Sequence, residues 1–205
     1  MCIRNYMASQ EEQRRPMAAD TIVPTPIYAE TRAITIDASV EHIWPWLAQM
    51  GSGRAGWYAF DWIDNGGRPS AKTILPEYQH IAPGDIMPAL PGMRDVFLLT
   101  AVDPPRRLIL TVPDVTFGSR VSWEFLVEPL DQGHSRLIVR GRVSPHWLDA
   151  VNRHDPAVSR GPIFIERVYG LLTRIPRPIM LAVASFGHSL MEVRQLRGIK
   201  RRAEA

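Results

Sequence analysis

The segment Ser-Arg-Val-Ser-Trp-Glu-Phe-Leu-Val-Glu-Pro-Leu-Asp-Gln-Gly-His-Ser-Arg-Leu-Ile-Val-Arg-Gly-Arg-Val, residues 119–143, decides the fold of this chain. Two runs rich in β-branched and aromatic residues, 119–128 and 135–143, flank Asp131-Gln132-Gly133, which has the composition of a three-residue hairpin loop with its glycine in the left-handed position. Such a loop fixes a register. It sets Glu128 opposite Arg136, Leu126 opposite Ile138 and Glu124 opposite Arg140, so opposite charges meet on one face. The other face pairs Val127 with Leu137, Phe125 with Val139 and Trp123 with Gly141, and is therefore the buried one. Trp123 can lie over the bare glycine. On this reading Arg136, Arg140 and Arg142 form a solvated ladder rather than an anion site.

Three further strand-like runs precede the hairpin, at 85–89, 94–102 and 107–112. Their links are short and rich in proline or glycine, as in Pro91-Gly92 and Asp103-Pro104-Pro105, which favours an antiparallel meander. Thr31, Ile34, Thr35 and Ile36 mark a first strand over 28–37. Ser39 has the chemistry of a helix N-cap, and Val40, Ile43, Trp44 and Leu47 recur after it at helical spacing up to Gly51, with a kink expected at Pro45. A short second helix over 58–64 stops at Asn65-Gly66-Gly67.

After the hairpin comes an irregular crossing, then a helical region from Pro162 with Phe164, Val168, Leu171 and Ile175 on one stripe. Pro176 and Pro178 interrupt it, and Ile179, Val183, Phe186, Leu190 and Val193 resume it as the face expected to be buried. His188 lies opposite that stripe, which places it on the surface. Residues 1–26 are polar, carry Pro16, Pro24 and Pro26, and read as a flexible leader before a single domain over 27–205. The expected class is α+β: a curved antiparallel sheet, one face covered by a long C-terminal helix, with a cavity between them.

The composition narrows the function. The 205 residues are 45% hydrophobic and 22% charged, ordinary for a globular chain. A net charge of +3 is concentrated near the ends, in Arg14 and Arg15 and in Arg197, Lys200, Arg201 and Arg202, not on a basic face interleaved with aromatics, so no nucleic-acid partner is expected. The lone Cys2 permits neither an intrachain disulfide nor a cysteine zinc site, which suits a reducing cytoplasm. The apolar run 179–186 is far short of the roughly 20 residues needed to span a bilayer. The six histidines are scattered without a His-Glu-x-x-His helix, so neither a metal nor a cofactor is expected. Gly51-x-Gly53-x-x-Gly56 has the letters of a dinucleotide motif but follows a helix instead of a strand. A homodimer is compatible with all of this.

The mouth of a ligand cavity is expected around residues 50–65, where Trp57, Tyr58, Phe60 and Trp62 crowd beside glycines; Asp61 as a helix cap and Glu77 bonded to backbone amides are the alternatives to a chemical role there. The candidate ligand-binding wall comprises Trp44, Trp57, Tyr58, Trp62, Phe97 and Trp123. Tyr58, Asp61 and Glu77 are the polar groups expected beside it, with His80 as a further helper. Glu77 would act as acid or base and Tyr58 as hydrogen-bond donor to a developing enolate. No nucleophile–base–orienter set is present, which disfavours covalent catalysis.

Several stretches also carry a resemblance. Ile43-Trp44-Pro45-Trp46-Leu47 with Gln49-Met50-Gly51, Gly56-Trp57-Tyr58 with Asp61-Trp62, Ile74-Leu75-Pro76-Glu77, Gly84-Asp85, Pro104-Pro105-Arg106 and the ending Gly198-Ile199-Lys200-Arg201-Arg202-Ala203-Glu204 resemble, in that order, the START-like helix-grip superfamily, also labelled SRPBCC. The resemblance implies a helix-grip fold enclosing an apolar ligand between sheet and C-terminal helix. It implies either a carrier of an aromatic or polycyclic small molecule or a polyketide cyclase/dehydratase-like enzyme using non-covalent acid–base catalysis in the same cavity.

Overall fold

The computed structural model describes residues 6–91, 96–147 and 174–205. Its hairpin forms in the expected register: β5 (Gly118–Pro129) pairs with β6 (Ser135–Val143) through Glu128–Arg136, Glu124–Arg140, Phe125–Val139 and Trp123–Gly141. Around it lie β1 (Tyr28–Ile36), β2 (Ile86–Pro88), β3 (Val96–Asp103) and β4 (Arg107–Asp114). Every pairing is antiparallel, and the sheet order is β1-β6-β5-β4-β3-β2. The first strand pairs with the last, so β1 returns to the far edge of the meander.

Helix α1 (Gln10–Arg14) precedes β1, and α2 (Val40–Ala48) and the single-turn α3 (Asp61–Asp64) follow it. Ser39 occupies the N-cap of α2, but its hydroxyl bonds His42 Nδ1 at 3.1 Å and not the helix backbone. Helix α4 (Arg177–Ala203) closes the chain. Pro176 is its N-cap and Pro178 lies in its first turn, where a missing N–H costs nothing, so the helix starts there. The stripe expected at Phe164, Val168 and Leu171 lies outside the described residues. Among the described residues no helix is long and apolar enough to cross a membrane.

The concave face of the sheet carries the main core. Ile34 and Ile36 of β1, Leu108 and Leu110 of β4, Phe125 and Val127 of β5 and Leu137 and Val139 of β6 pack against Ile43 and Leu47 of α2 and Val193, Leu196 and Ile199 of α4. These pairs alternate along each strand with residues of the opposite face, as the pleat requires.

The convex face corrects two expectations. Residues 6–26 are not a free leader but a cover: Ala8 and Met17 pack with Ala33, Leu126 and Ile138 in a second cluster. The arginines are not a solvated ladder, because they hold that cover down. Arg140, 5% exposed, donates to Thr31 Oγ1, to the carbonyls of Glu12, Gln13 and Arg15 and to Asp20 Oδ2, with all five distances between 2.7 and 3.0 Å. It thereby satisfies carbonyls that the short α1 leaves open at its C-terminus. Arg136 pairs with Glu12 at 2.7 Å, and Arg142 donates to the carbonyls of Val23 and Pro24. Glu124 is fully buried, accepts from the Ala19 N–H at 2.8 Å and pairs with Arg107 at 3.1 Å. A charged face that reads as solvated was matched to a segment whose own carbonyls and carboxylates complement it.

This changes the expected cost of a substitution. On a solvated ladder, Glu124→Lys would cost on the order of 0.2–1 kcal/mol. Beneath the cover it sets a buried cation against Arg107 and Arg140, and we expect a loss of about 3–5 kcal/mol in urea denaturation. A loss below about 1 kcal/mol would mean that residues 6–26 do not cover the sheet.

Candidate functional site

The glycine- and aromatic-rich stretch expected to form a cavity mouth is built as a docking loop for α4. Gly56 lies at φ +83°, where an added Cβ would fall 2.2 Å from Ser70 Oγ. Tyr58 adopts the left-handed conformation, φ 63°, uncommon for a bulky residue. The reason is packed beside it. Gly198 of α4 lies so close that a Cβ there would sit 2.3 Å from the Tyr58 carbonyl oxygen. The Arg202 guanidinium lies 4.4 Å above the Tyr58 ring, and Arg194 lies 4.6 Å above Phe60 while donating to the Ala59 carbonyl. Loop and helix C-terminal half are therefore one packed unit.

The residues expected to do chemistry are consequently not brought together. The Tyr58 hydroxyl donates to the Trp46 carbonyl at 3.0 Å and accepts from Gln49 Nε2 at 3.1 Å, and burial raises its pKa. Asp61 accepts from the Ser70 hydroxyl, which in turn faces the Tyr58 N–H. Glu77, on a 3-10 turn over Pro76–Tyr78, and His80 just beyond it are exposed. None of the four lines the cavity described below. Of the expected wall, Trp62 is 70% exposed and Trp44 is half-buried against the core. Trp57 is buried, donates its indole N–H to the carbonyls of Pro88 and Ala89, and backs Phe97 and Trp123 at ring distances of 5.5 and 5.6 Å. Phe97 and Trp123 alone of that set face the cavity.

The cavity itself, about 470 Å³, opens between the concave face and the N-terminal half of α4. Phe97, Val112, Val121, Trp123 and Val143 form its sheet wall, and Leu181, Ala184, Gly187 and Met191 its helix wall. Small residues on α4 keep the helix backbone near the space without filling it. The stripe expected to be buried faces outward instead: Ile179 and Val183 are each 53% exposed, Phe186 73% and Leu190 48%. Only Val193 of that stripe is buried. Helix α4 is turned because its other face carries the groups that find partners on the sheet.

Those groups define one polar end of a largely apolar cavity, which Arg120, Arg142 and Ser185 also line. His188, expected on the surface, lines the cavity between Tyr28 and Trp123, at ring distances of 6.5 and 6.0 Å. Its Nδ1 is buried and has no hydrogen-bond partner. One helical turn on, Glu192 is 2% exposed and accepts from the Trp123 indole N–H at 3.1 Å. Glu30 of β1 accepts from the hydroxyls of Tyr28 and Ser189 and from Arg32, and Arg32 Nε stands 3.5 Å from Glu192 Oε2. Burial pushes the Glu192 carboxyl up to about 8, opposed by the Trp123 hydrogen bond, assisted by the Glu30 charge and opposed again by Arg32. Burial likewise holds His188 below the usual imidazole range, so it is neutral at pH 7. The sequence signal for this group was the i, i+4 pair His188 and Glu192 on the face of α4 carrying Ala184, Gly187 and Gly198; the apolar stripe opposite masked it.

No family model matches the sequence, and no curated protein matches it. Solved structures with a similar path of the chain include an aromatase/cyclase from Streptomyces sp. R1128 (14% identity, 86% of this chain and 93% of that one, TM-score 0.44). Others are a Polyketide_cyc-like protein from Corynebacterium glutamicum (14%, 87% and 95%, 0.41) and a protein from Arthrobacter aurescens (13%, 85% of each, 0.43). The six-stranded antiparallel sheet closed by a long C-terminal helix is a helix-grip architecture. With identities and TM-scores this low, what those proteins do is a property of theirs.

Two measurements check the site. Tyr58→Phe removes two buried hydrogen bonds and should cost about 1–3 kcal/mol of stability, whereas Glu77→Gln should change stability by less than about 0.5 kcal/mol; equal effects would place the two residues in like surroundings. Because the Glu192 pKa is raised above its unfolded value, its contribution is intact below about pH 4.5 and is lost as pH rises through about 8. Glu192→Gln should therefore flatten the fall in stability across that range by on the order of a few kcal/mol, measured by denaturation in EDTA-containing buffers. An unchanged pH profile would mean that the carboxyl is not buried.

Proposed function

We propose that the chain binds an apolar small molecule, aromatic or polycyclic, in the cavity between the sheet and α4. The observation that carries this reading is the wall itself: about 470 Å³ of space, bounded by Phe97, Trp123 and aliphatic side chains. That volume suits a ligand of two to four fused rings, and aromatic walls offer such a ligand offset-stacked or edge contacts. The Glu192–Trp123 hydrogen bond fixes one of the two indole rings of the wall, Trp123 beside Trp147, so little side-chain freedom is lost when a ligand settles on it.

The alternative, a cyclase or dehydratase reaction by acid–base catalysis, loses the residues the sequence offered for it. Tyr58 spends its hydroxyl on Trp46 and Gln49, and Glu77 and His80 face solvent. Binding without conversion is therefore the reading we adopt.

The test is thermal unfolding of the full chain with a series of fused-ring probes such as anthraquinone. Ligand at about 100 times its dissociation constant adds roughly 2.7 kcal/mol, which raises Tm by roughly 5–11 °C. Ala184→Trp, which fills the cavity from the helix wall, should abolish the shift while leaving the protein folded. A shift that persists in Ala184→Trp would put the ligand elsewhere, and no shift with any probe would sink the reading.

A further inference from the structure

We propose that Glu30, His188 and Glu192 form a site for a divalent transition-metal ion at the end of the cavity bounded by Tyr28 and His188. One ligand-capable atom from each residue lies within 4.8 Å of the others. The three come from β1 and α4, more than 150 positions apart in the chain, and for that reason no local motif announces them.

Two observations point to an occupant. The buried His188 Nδ1 has no hydrogen-bond partner, and Oε2 of Glu192, a residue 2% exposed, makes no hydrogen bond and meets only Arg32 Nε, at the ion-pair distance of 3.5 Å. A buried polar atom without a partner costs about 1–3 kcal/mol, and native structures hold few of them. Here one of them, His188 Nδ1, stands in a cluster with two carboxylates.

The second observation is how the ligands are held. Metal-binding carboxylates are oriented by hydrogen bonds from outside the coordination sphere, and both carboxylates have such donors. Trp123 fixes Oε1 of Glu192 and leaves Oε2 facing Arg32 Nε at 3.5 Å. Tyr28 and Ser189 fix Oε2 of Glu30, and Arg32 donates to its Oε1, so an ion would share that oxygen with the guanidinium.

The donor set selects the class of ion. One neutral imidazole and two carboxylates suit zinc and its neighbours, whereas calcium and magnesium favour shells made entirely of oxygen. Zinc bonds of roughly 2.0–2.2 Å bring ligand atoms closer together than 4.8 Å, so the side chains close in on binding. Arg32 sets the strength. With both carboxylates ionised, two negative charges and one guanidinium leave a net charge of −1 to meet the ion, so the site is exchangeable and not permanently filled. The side chains of Glu30 and Arg32, 18% and 11% exposed at the β1 edge, give access from solvent. The site is independent of the apolar ligand, although an ion there would meet whatever oxygen that ligand carries at its inner end.

The experiment is zinc titration of the chelator-stripped full-length protein by calorimetry, with metal content measured after dialysis. One zinc per chain is expected, weakened at least tenfold in both His188→Gln and Glu192→Gln and unchanged in Cys2→Ser and His134→Ala, which remove other donors. Cobalt(II) should give a visible absorption band in the wild type that both site variants lose, and melting curves confirm that the variants are folded. No stoichiometric binding by the wild type would overturn the site and leave the gap to a buried water. Binding that survives Glu192→Gln and His188→Gln, or that disappears with Cys2→Ser or His134→Ala, would overturn it as well.

Discussion

The juxtaposition of Trp123 and Gly141 across β5 and β6 governs both sides of the sheet. A slip of one residue would move every side chain of the hairpin to the opposite face. With the register as it stands, the Trp123 ring lies in the concave space that Gly141 leaves open, and its indole N–H reaches Glu192 on α4. The next residue along each strand, Glu124 and Arg140, points the other way and engages residues 12–20. Cavity wall, helix orientation and outer cover thus follow from one strand pairing.

The outer cover shows how far local polarity misleads about burial. Residues 6–26 have too few apolar side chains to form a core alone, contributing chiefly Tyr6, Ala8, Met17, Ala19 and Val23. They are held by matched polar groups: a guanidinium for the carbonyls ending α1, a carboxylate for the Ala19 N–H, and Glu12 for Arg136. Buried charges of this kind are tolerated because nearly every one has an opposite partner and hydrogen bonds to spare. Their net contribution to stability is smaller than their number suggests, but removing a single partner strands the other.

Strands were legible because alternation over eight or nine residues, together with a glycine-bearing loop, leaves little freedom in the register. Two of the expectations that failed share a cause. Both the outer arginines and the face of α4 were assigned from the polarity of one element, and each was settled by a partner elsewhere in the chain. For α4, the apolar stripe Ile179–Val183–Phe186–Leu190 was the stronger periodic signal, yet His188, Glu192 and Gln195 turn inward. Hydrogen bonds from Trp123 to Glu192 and from Ser189 to Glu30 outweigh a preference for which aliphatic face meets the sheet. The cavity lining was legible in part: Phe97 and Trp123 stood out by aromatic content and line it, whereas the places of Tyr28, Glu30 and His188 depend on which strand lies beside the helix.

The contact between Gly198 and Tyr58 anchors the C-terminal half of α4. Its C-terminal half is clamped, by a backbone approach no larger residue permits and by Arg194 and Arg202 lying over the loop aromatics. Its N-terminal half instead spans the cavity, with Ala184 and Gly187 facing open space. Glu192 and its indole partner therefore sit toward the clamped part of the helix, and Ala184 and Gly187 along the part that faces the cavity.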